Sequence, residues 1–166
     1  MARTILVGDI HGCRDELERL LDHVGFVRGD RLVSVGDTIV RGPDPRGTLD
    51  ILRTASARAV RGNHEDRLIR ALSRGGEPLG EVQRATVKAL RDHDWSWLKE
   101  LPLWLDLPEH NVRVVHAGVV PGLPMERQDP RALMYMRCIG PGGAPIERRG
   151  VRSSVLRRTP AGWIGR

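Results

Sequence analysis

The sequence predicts an α/β fold organised around a parallel sheet. Short apolar runs at 4–7, 31–35 and 57–60 alternate with stretches of helical periodicity, giving a β-α-β-α-β-α order. Each run ends in glycine joined to Asp, Asn or His: Gly8-Asp9-Ile10-His11-Gly12, Gly36-Asp37 and Gly62-Asn63-His64-Glu65. A later run, 112–115, ends the same way in His116-Ala117-Gly118. At 166 residues the chain suits one domain, large enough to bury a core without disulfides.

Thr4 to Val7 reads as a buried strand with chemistry at its carboxyl end. Leu17, Leu20, Leu21 and Val24 recur at helical spacing over residues 14–24, and Gly25 is the stop. Arg31 to Val35 is the second strand, Thr48 to Ala55 the second helix, and Ala57 to Val60 the third strand. A helix starting near Glu65 carries Leu68, Ile69 and Leu72 on one side. Residues 74–80 form a Gly/Pro-containing loop, and Glu81 to Asp92 is a further helix. Trp95, Trp97, Leu98 and Leu101 read as core or cap packing rather than a base-stacking platform. Val112 to Val115 is a strand that delivers His116. Beyond Gly140 comes a breaker cluster, 141–145, and then a stretch without sustained period.

The formal net charge is +6, but residues 147–166 hold six arginines against one glutamate. The body is therefore nearly neutral, which argues against a nucleic-acid-binding face. Residues 1–140 are read as the domain. Residues 141–166 are read as an atypical Arg-rich tail, disordered or the product of a frame-shift that replaced the native continuation. Two cysteines, Cys13 and Cys138, make no disulfide framework, and no secretory signal or membrane-length apolar segment is present. These features give a cytoplasmic, reducing setting as the expectation.

In parallel sheets ligands gather at the carboxyl ends of the strands, where the clusters fall. Asp9 and His11, two apart at a strand end, can aim carboxylate and imidazole at one ion, and Asp37 can bridge it to a second. Asn63 supplies an amide oxygen and His116 a nitrogen to that second ion. Two ions about 3.5–4 Å apart clamp phosphate oxygens and generate hydroxide near neutral pH. His64 can protonate the leaving oxygen, and Arg41 offers a planar fork to phosphate. Singly, Asp9 reads as a turn former, Asn63 as a cap and Arg41 as a surface charge. The ordered set reads as a phosphoesterase centre. His23, His93 and His110 lie outside it as surface or packing residues, and Cys13 reads as a small apolar one.

Gly8 to Gly12, Gly36-Asp37-Thr38-Ile39-Val40-Arg41-Gly42, Gly62 to Glu65 and Val115 to Gly118 together resemble the calcineurin-like metallophosphoesterases. The resemblance covers roughly residues 3–120. It is closest to the branch holding the PPP serine/threonine phosphatases and the symmetrical diadenosine tetraphosphatases. It implies a layered α/β/β/α sandwich, here incomplete at the C-terminus. It also implies two divalent ions, manganese foremost with iron or zinc as alternatives. Asp9, His11 and Asp37 would hold the first ion, and Asp37, Asn63 and His116 the second. His64 would be the proton donor, and Arg41 the phosphate ligand. The implied substrate is phosphorylated, either a phosphoprotein or a dinucleoside polyphosphate. Val40 stands where the PPP branch carries an aspartate that orients the catalytic histidine. Arg41-Gly42-Pro43 and Gly12-Cys13 lean toward the tetraphosphatases. The family's further histidine, from a late Gly-His pair, has no counterpart, since no histidine follows His116. The alternative reading is a truncated, weakly active or inactive domain that binds metal or a phosphorylated partner. No membrane is expected as a partner.

Overall fold

The computed structural model describes residues 2–73, 78–140, 144–147, 155–159 and 162–165, the last two segments as backbone. Strands β1 (Thr4–Val7), β2 (Arg31–Ser34) and β3 (Arg58–Ala59) form a parallel sheet in that order. Helices α1 (Arg14–His23) and α2 (Pro45–Thr54) provide the crossovers, as the alternating pattern predicts. Side chains alternate across this sheet with period two. Ile5, Val7, Leu32 and Ala59 face the helices, where they meet Leu17, Leu21, Leu49, Leu52 and Leu68. Leu6, Val33 and Val60 face the other way, against Leu105, Leu107 and Val114 of a second sheet.

That second sheet pairs β4 (Trp104–Leu107) with β5 (Val112–Val115) antiparallel. On its outer face, Val115 and Trp104 meet Leu133 of helix α6 (Pro130–Tyr135). The molecule is thus a helix layer, two sheets, and a further short helix, the layered α/β sandwich that the resemblance implies. Arg61 N–H donates to Pro102 O at 2.8 Å, tying the end of β3 to the start of β4.

Several boundaries differ from the sequence reading for identifiable reasons. Helix α2 starts three residues early because Asp44 caps it, accepting from Gly47 N–H at 2.8 Å, and Pro45 occupies the first turn. Helix α3 (Asn63–Ala71) starts at Asn63 rather than near Glu65. The helix read over 81–92 ends at Ala89 as α4 (Glu81–Ala89), and a separate helix, α5 (Asp92–Glu100), follows where none was read. The buried Asp94 carboxylate accepts from Arg91 N–H at 2.8 Å, which caps α5 and breaks the run. Trp95 and Trp97 pack against the helix-side core, as read. Most of the loop read at 74–80 lies outside the described residues.

Within the stretch read as the Arg-rich tail, nine of the described residues form two strands. β8 (Val155–Thr159) adds antiparallel to β5, and β9 (Gly162–Gly165) pairs with β8. Val155-Leu156 and Trp163-Ile164 are good strand formers, and the edge of β5 offers unpaired backbone groups for them to satisfy. A small ladder, β6 (Cys138–Ile139) with β7 (Pro145–Ile146), spans the breaker cluster. No helix among the described residues is long and apolar enough to cross a membrane.

Candidate metal centre

The loops that follow β1, β2, β3 and β5 meet at one end of the sandwich. Asp37 O accepts from Ile10 N–H at 3.1 Å and from His11 N–H at 2.8 Å. Gly12 N–H donates to Thr38 O at 2.7 Å, and Gly42 N–H to His11 O at 2.5 Å. The first two clusters are therefore laced together by backbone. His11, Asp37 and Arg41 all sit at positive φ (56°, 52° and 96°), conformations that cost non-glycine residues free energy and persist where surroundings impose them. Gly36 (φ 94°) could not be alanine: its Cβ would stand 2.8 Å from both Gly62 N and His116 Nδ1.

Glu65, in the first turn of α3, is fully buried and accepts four hydrogen bonds. They come from Asp37 N–H (2.9 Å), Gly62 N–H (3.0 Å), Thr38 N–H (2.8 Å) and Thr38 Oγ1–H (3.1 Å). One carboxylate thus locks the Asp37 loop to the Gly62 loop. The sequence reading quoted Glu65 within its motif but assigned it no role. Its place three residues after Gly62, at a helix start, is the capping-box position and was the available signal.

His116 is buried, with Nδ1 2.8 Å from Val35 O. Nδ1 donates to that carbonyl, which turns Nε2 toward Asn63 Oδ1 at 2.9 Å and Asp37 Oδ2 at 3.5 Å. A carboxylate, an amide oxygen and an imidazole nitrogen this close together suit a cation once Nε2 carries no proton. His11 Nε2 lies 3.1 Å from the Arg41 guanidinium and 3.8 Å from Asp9 Oδ2. Among the described residues, the buried Nδ1 atoms of His11 and His64 have no hydrogen-bond partner.

Burial pushes the Asp37 carboxyl up to about 6, with the His116 charge pulling the other way. Burial, and then the Arg41 charge, pushes the His64 imidazole down to about 4, and the same two causes lower His11. A cation bound there would stabilise the ionised Asp37 carboxylate and would meet imidazoles that are already neutral.

All seven residues singled out from sequence are brought together at this end of the sandwich. The ligand atoms of His11, Asp37 and His64 lie within 4.8 Å of one another, as do those of Asp9, Asp37 and His116. Asp37 belongs to both groups. Asn63 sits on His116, and Arg41 on His11.

Residues 2–138 match the family model of the calcineurin-like phosphoesterases. The chain belongs to that family. Among curated relatives, the symmetrical bis(5'-nucleosyl)-tetraphosphatase of Shewanella sediminis is 39% identical over 129 residues. That match spans 72% of this chain and 46% of the relative. The enzyme of the same description from Aeromonas hydrophila is 39% identical over 121 residues, 69% of this chain and 44% of its own. The chain thus spans less than half the length of the curated relatives it matches. A crystal structure provisionally assigned as a diadenosine tetraphosphatase superposes with a TM-score of 0.75 at 31% identity, covering 99% of this chain and 64% of that one. A metallophosphoesterase from Sphaerobacter thermophilus superposes at 0.57 with 27% identity, over 70% of this chain and 47% of that one.

Proposed function

We propose that this chain hydrolyses phosphate esters or anhydrides with the help of two divalent ions, and that its substrate class is dinucleoside polyphosphates. The observation that carries the proposal is the convergence of carboxylate, amide and imidazole lone pairs on both sides of Asp37. Asp9, His11 and Asp37 would hold one ion, and Asp37, Asn63 and His116 the other. Such a mixed oxygen and nitrogen set suits manganese, with iron or zinc as alternatives. Bound there, divalent ions neutralise phosphate charge and lower the pKa of water. The chain's own groups do the rest. Arg41, held at positive φ beside His11, presents its guanidinium to the phosphate. His64, beside Asn63 at the start of α3, would serve as proton donor to the leaving oxygen, charging once anionic phosphate offsets the nearby Arg41 charge that holds its pKa down.

The tetraphosphatase relatives and the apolar Val40 favour dinucleoside polyphosphates over phosphoproteins. A cytoplasmic setting is supported by two free cysteines, Cys13 and Cys138.

The deciding experiment is manganese-dependent hydrolysis of an aryl phosphate by wild type, Asp37→Asn and His64→Ala. The proposal expects turnover in the wild type and a loss of about 10²-fold or more in both variants. Turnover that ignores manganese, or survives Asp37→Asn, would sink it. Faster cleavage of diadenosine tetraphosphate than of a phosphopeptide then supports the substrate class, and the reverse order overturns it.

A further inference from the structure

Helix α6 touches both members of the Asn63–His116 pair, and nothing in the motifs announces it. Leu133 O accepts from Ala117 N–H at 2.8 Å, one residue beyond His116. Two residues on, the Tyr135 hydroxyl lies 2.9 Å from Asp66 Oδ2 and 3.3 Å from Asn63 O, and it donates its proton toward them. Arg70 completes the knot. Its Nη2 donates to the Tyr135 oxygen at 2.8 Å and its Nε to Asp66 Oδ2 at 2.8 Å. The Arg131 guanidinium lies over the Tyr135 ring, 4.6 Å from its centroid, and itself grips Glu147 at 2.6 and 2.9 Å.

We propose that Tyr135 is a positioning residue for the second ion: its hydroxyl fixes the first turn of α3, and so the Asn63 amide, at the distance His116 requires. This rests on the reading of Asn63 and His116 as ligands. The geometry makes the coupling direct. Asn63 and Asp66 stand in the same first turn, so one hydroxyl bonded to both sets the rotation of that turn. Two residues before Tyr135, Leu133 of the same short helix holds the backbone after His116. α6 therefore works as a brace of fixed length between two side chains whose ligand atoms are 2.9 Å apart. Groups that orient ligands from one bond away typically account for 10–100-fold in metal affinity.

Calorimetric titration of the metal-stripped full chain with manganese, for wild type and Tyr135→Phe, tests this. The expected result is two ions in the wild type and a second-ion affinity weakened about 10–100-fold in the variant, with the first unchanged. Side-chain NMR signals of Asn63 and His116, recorded without metal, should also move in Tyr135→Phe. Unchanged second-ion affinity and unmoved signals would overturn the proposal, even if the melting temperature fell. Asp66→Asn provides the same two readouts should Tyr135→Phe not fold. If the wild type takes up fewer than two ions, the two-ion reading fails by itself, and the metal-free signals still decide whether Tyr135 positions Asn63.

Discussion

Glu65→Gln is the substitution whose cost the structure defines most fully. The carboxylate is completely buried and takes four hydrogen bonds, three of them from backbone amides. Glutamine keeps the shape but offers one oxygen. In its better orientation that oxygen retains the two bonds from Thr38, and its NH2 group then faces the Asp37 and Gly62 N–H groups. Two buried donors are left facing a donor. At about 1–3 kcal/mol for each buried group left unpaired, the loss is about 2–6 kcal/mol. That is a large share of the roughly 5–15 kcal/mol by which domains are stable. Equilibrium urea unfolding measures it. With a slope of about 1–3 kcal/mol per molar, the midpoint should fall by about 1 M or more. The exposed Glu81→Gln should stay within about 0.5 kcal/mol of wild type. A midpoint shift for Glu65→Gln no larger than that control's would refute the view that one carboxylate locks the two loops.

Gly42→Ala should displace the Gly8–Gly12 loop. The new Cβ would meet His11 O and stand 2.7 Å from the Gly12 carbonyl carbon, both backbone atoms that cannot yield. Manganese-dependent turnover should fall by about 10²-fold while circular dichroism stays native, since displacements near 1 Å cost that much. Equal turnover would show that the loop accommodates the methyl group. In the metal-free chain, NMR titration should find the His64 imidazole neutral down to about pH 4, with Arg41→Gln raising that midpoint because a nearby positive charge is removed. A His64 midpoint near 6.5, unmoved by Arg41→Gln, would contradict the burial described. The Asp30 carboxyl is held at about 2 by hydrogen bonds from the Arg3 guanidinium and amide. Its folded pKa is depressed, so its contribution is present above about pH 4 and fades as pH falls toward 2. The urea-midpoint gap between wild type and Asp30→Asn should therefore narrow in acid, and a gap that widened would reverse the assignment.

The parts of this fold legible in sequence were those with a strong period and a marked end. β1, β2, β3, α1 and β5 declare themselves because their apolar residues repeat at two or at 3.6 and then stop at glycine. Most of the candidate-site residues were legible for the same reason, standing in the glycine-bearing turns just after strands end. β4 was missed because Pro102 and Pro108 flank it, and four residues cannot establish alternation between two breakers. α6 was missed because six residues are too few for helical periodicity. Its start depends on Asp129, which accepts from Arg131 N–H at 2.9 Å. The role of Tyr135, and Glu65's grip on Asp37 and Thr38, lie in tertiary contacts across 69–72 and 27–28 residues of chain. The strands at 155–159 and 162–165 were hidden by arginines and glycines, whose low strand preference is overridden by pairing to β5.

The claim at the centre of this account is a pair of divalent ions sharing the Asp37 carboxylate. Anomalous diffraction from crystals grown with manganese tests it most directly. The account predicts two peaks about 3.5–4 Å apart with Asp37 between them, His11 beside one and His116 beside the other. A single peak, or a pair that leaves Asp37 unligated, would contradict it.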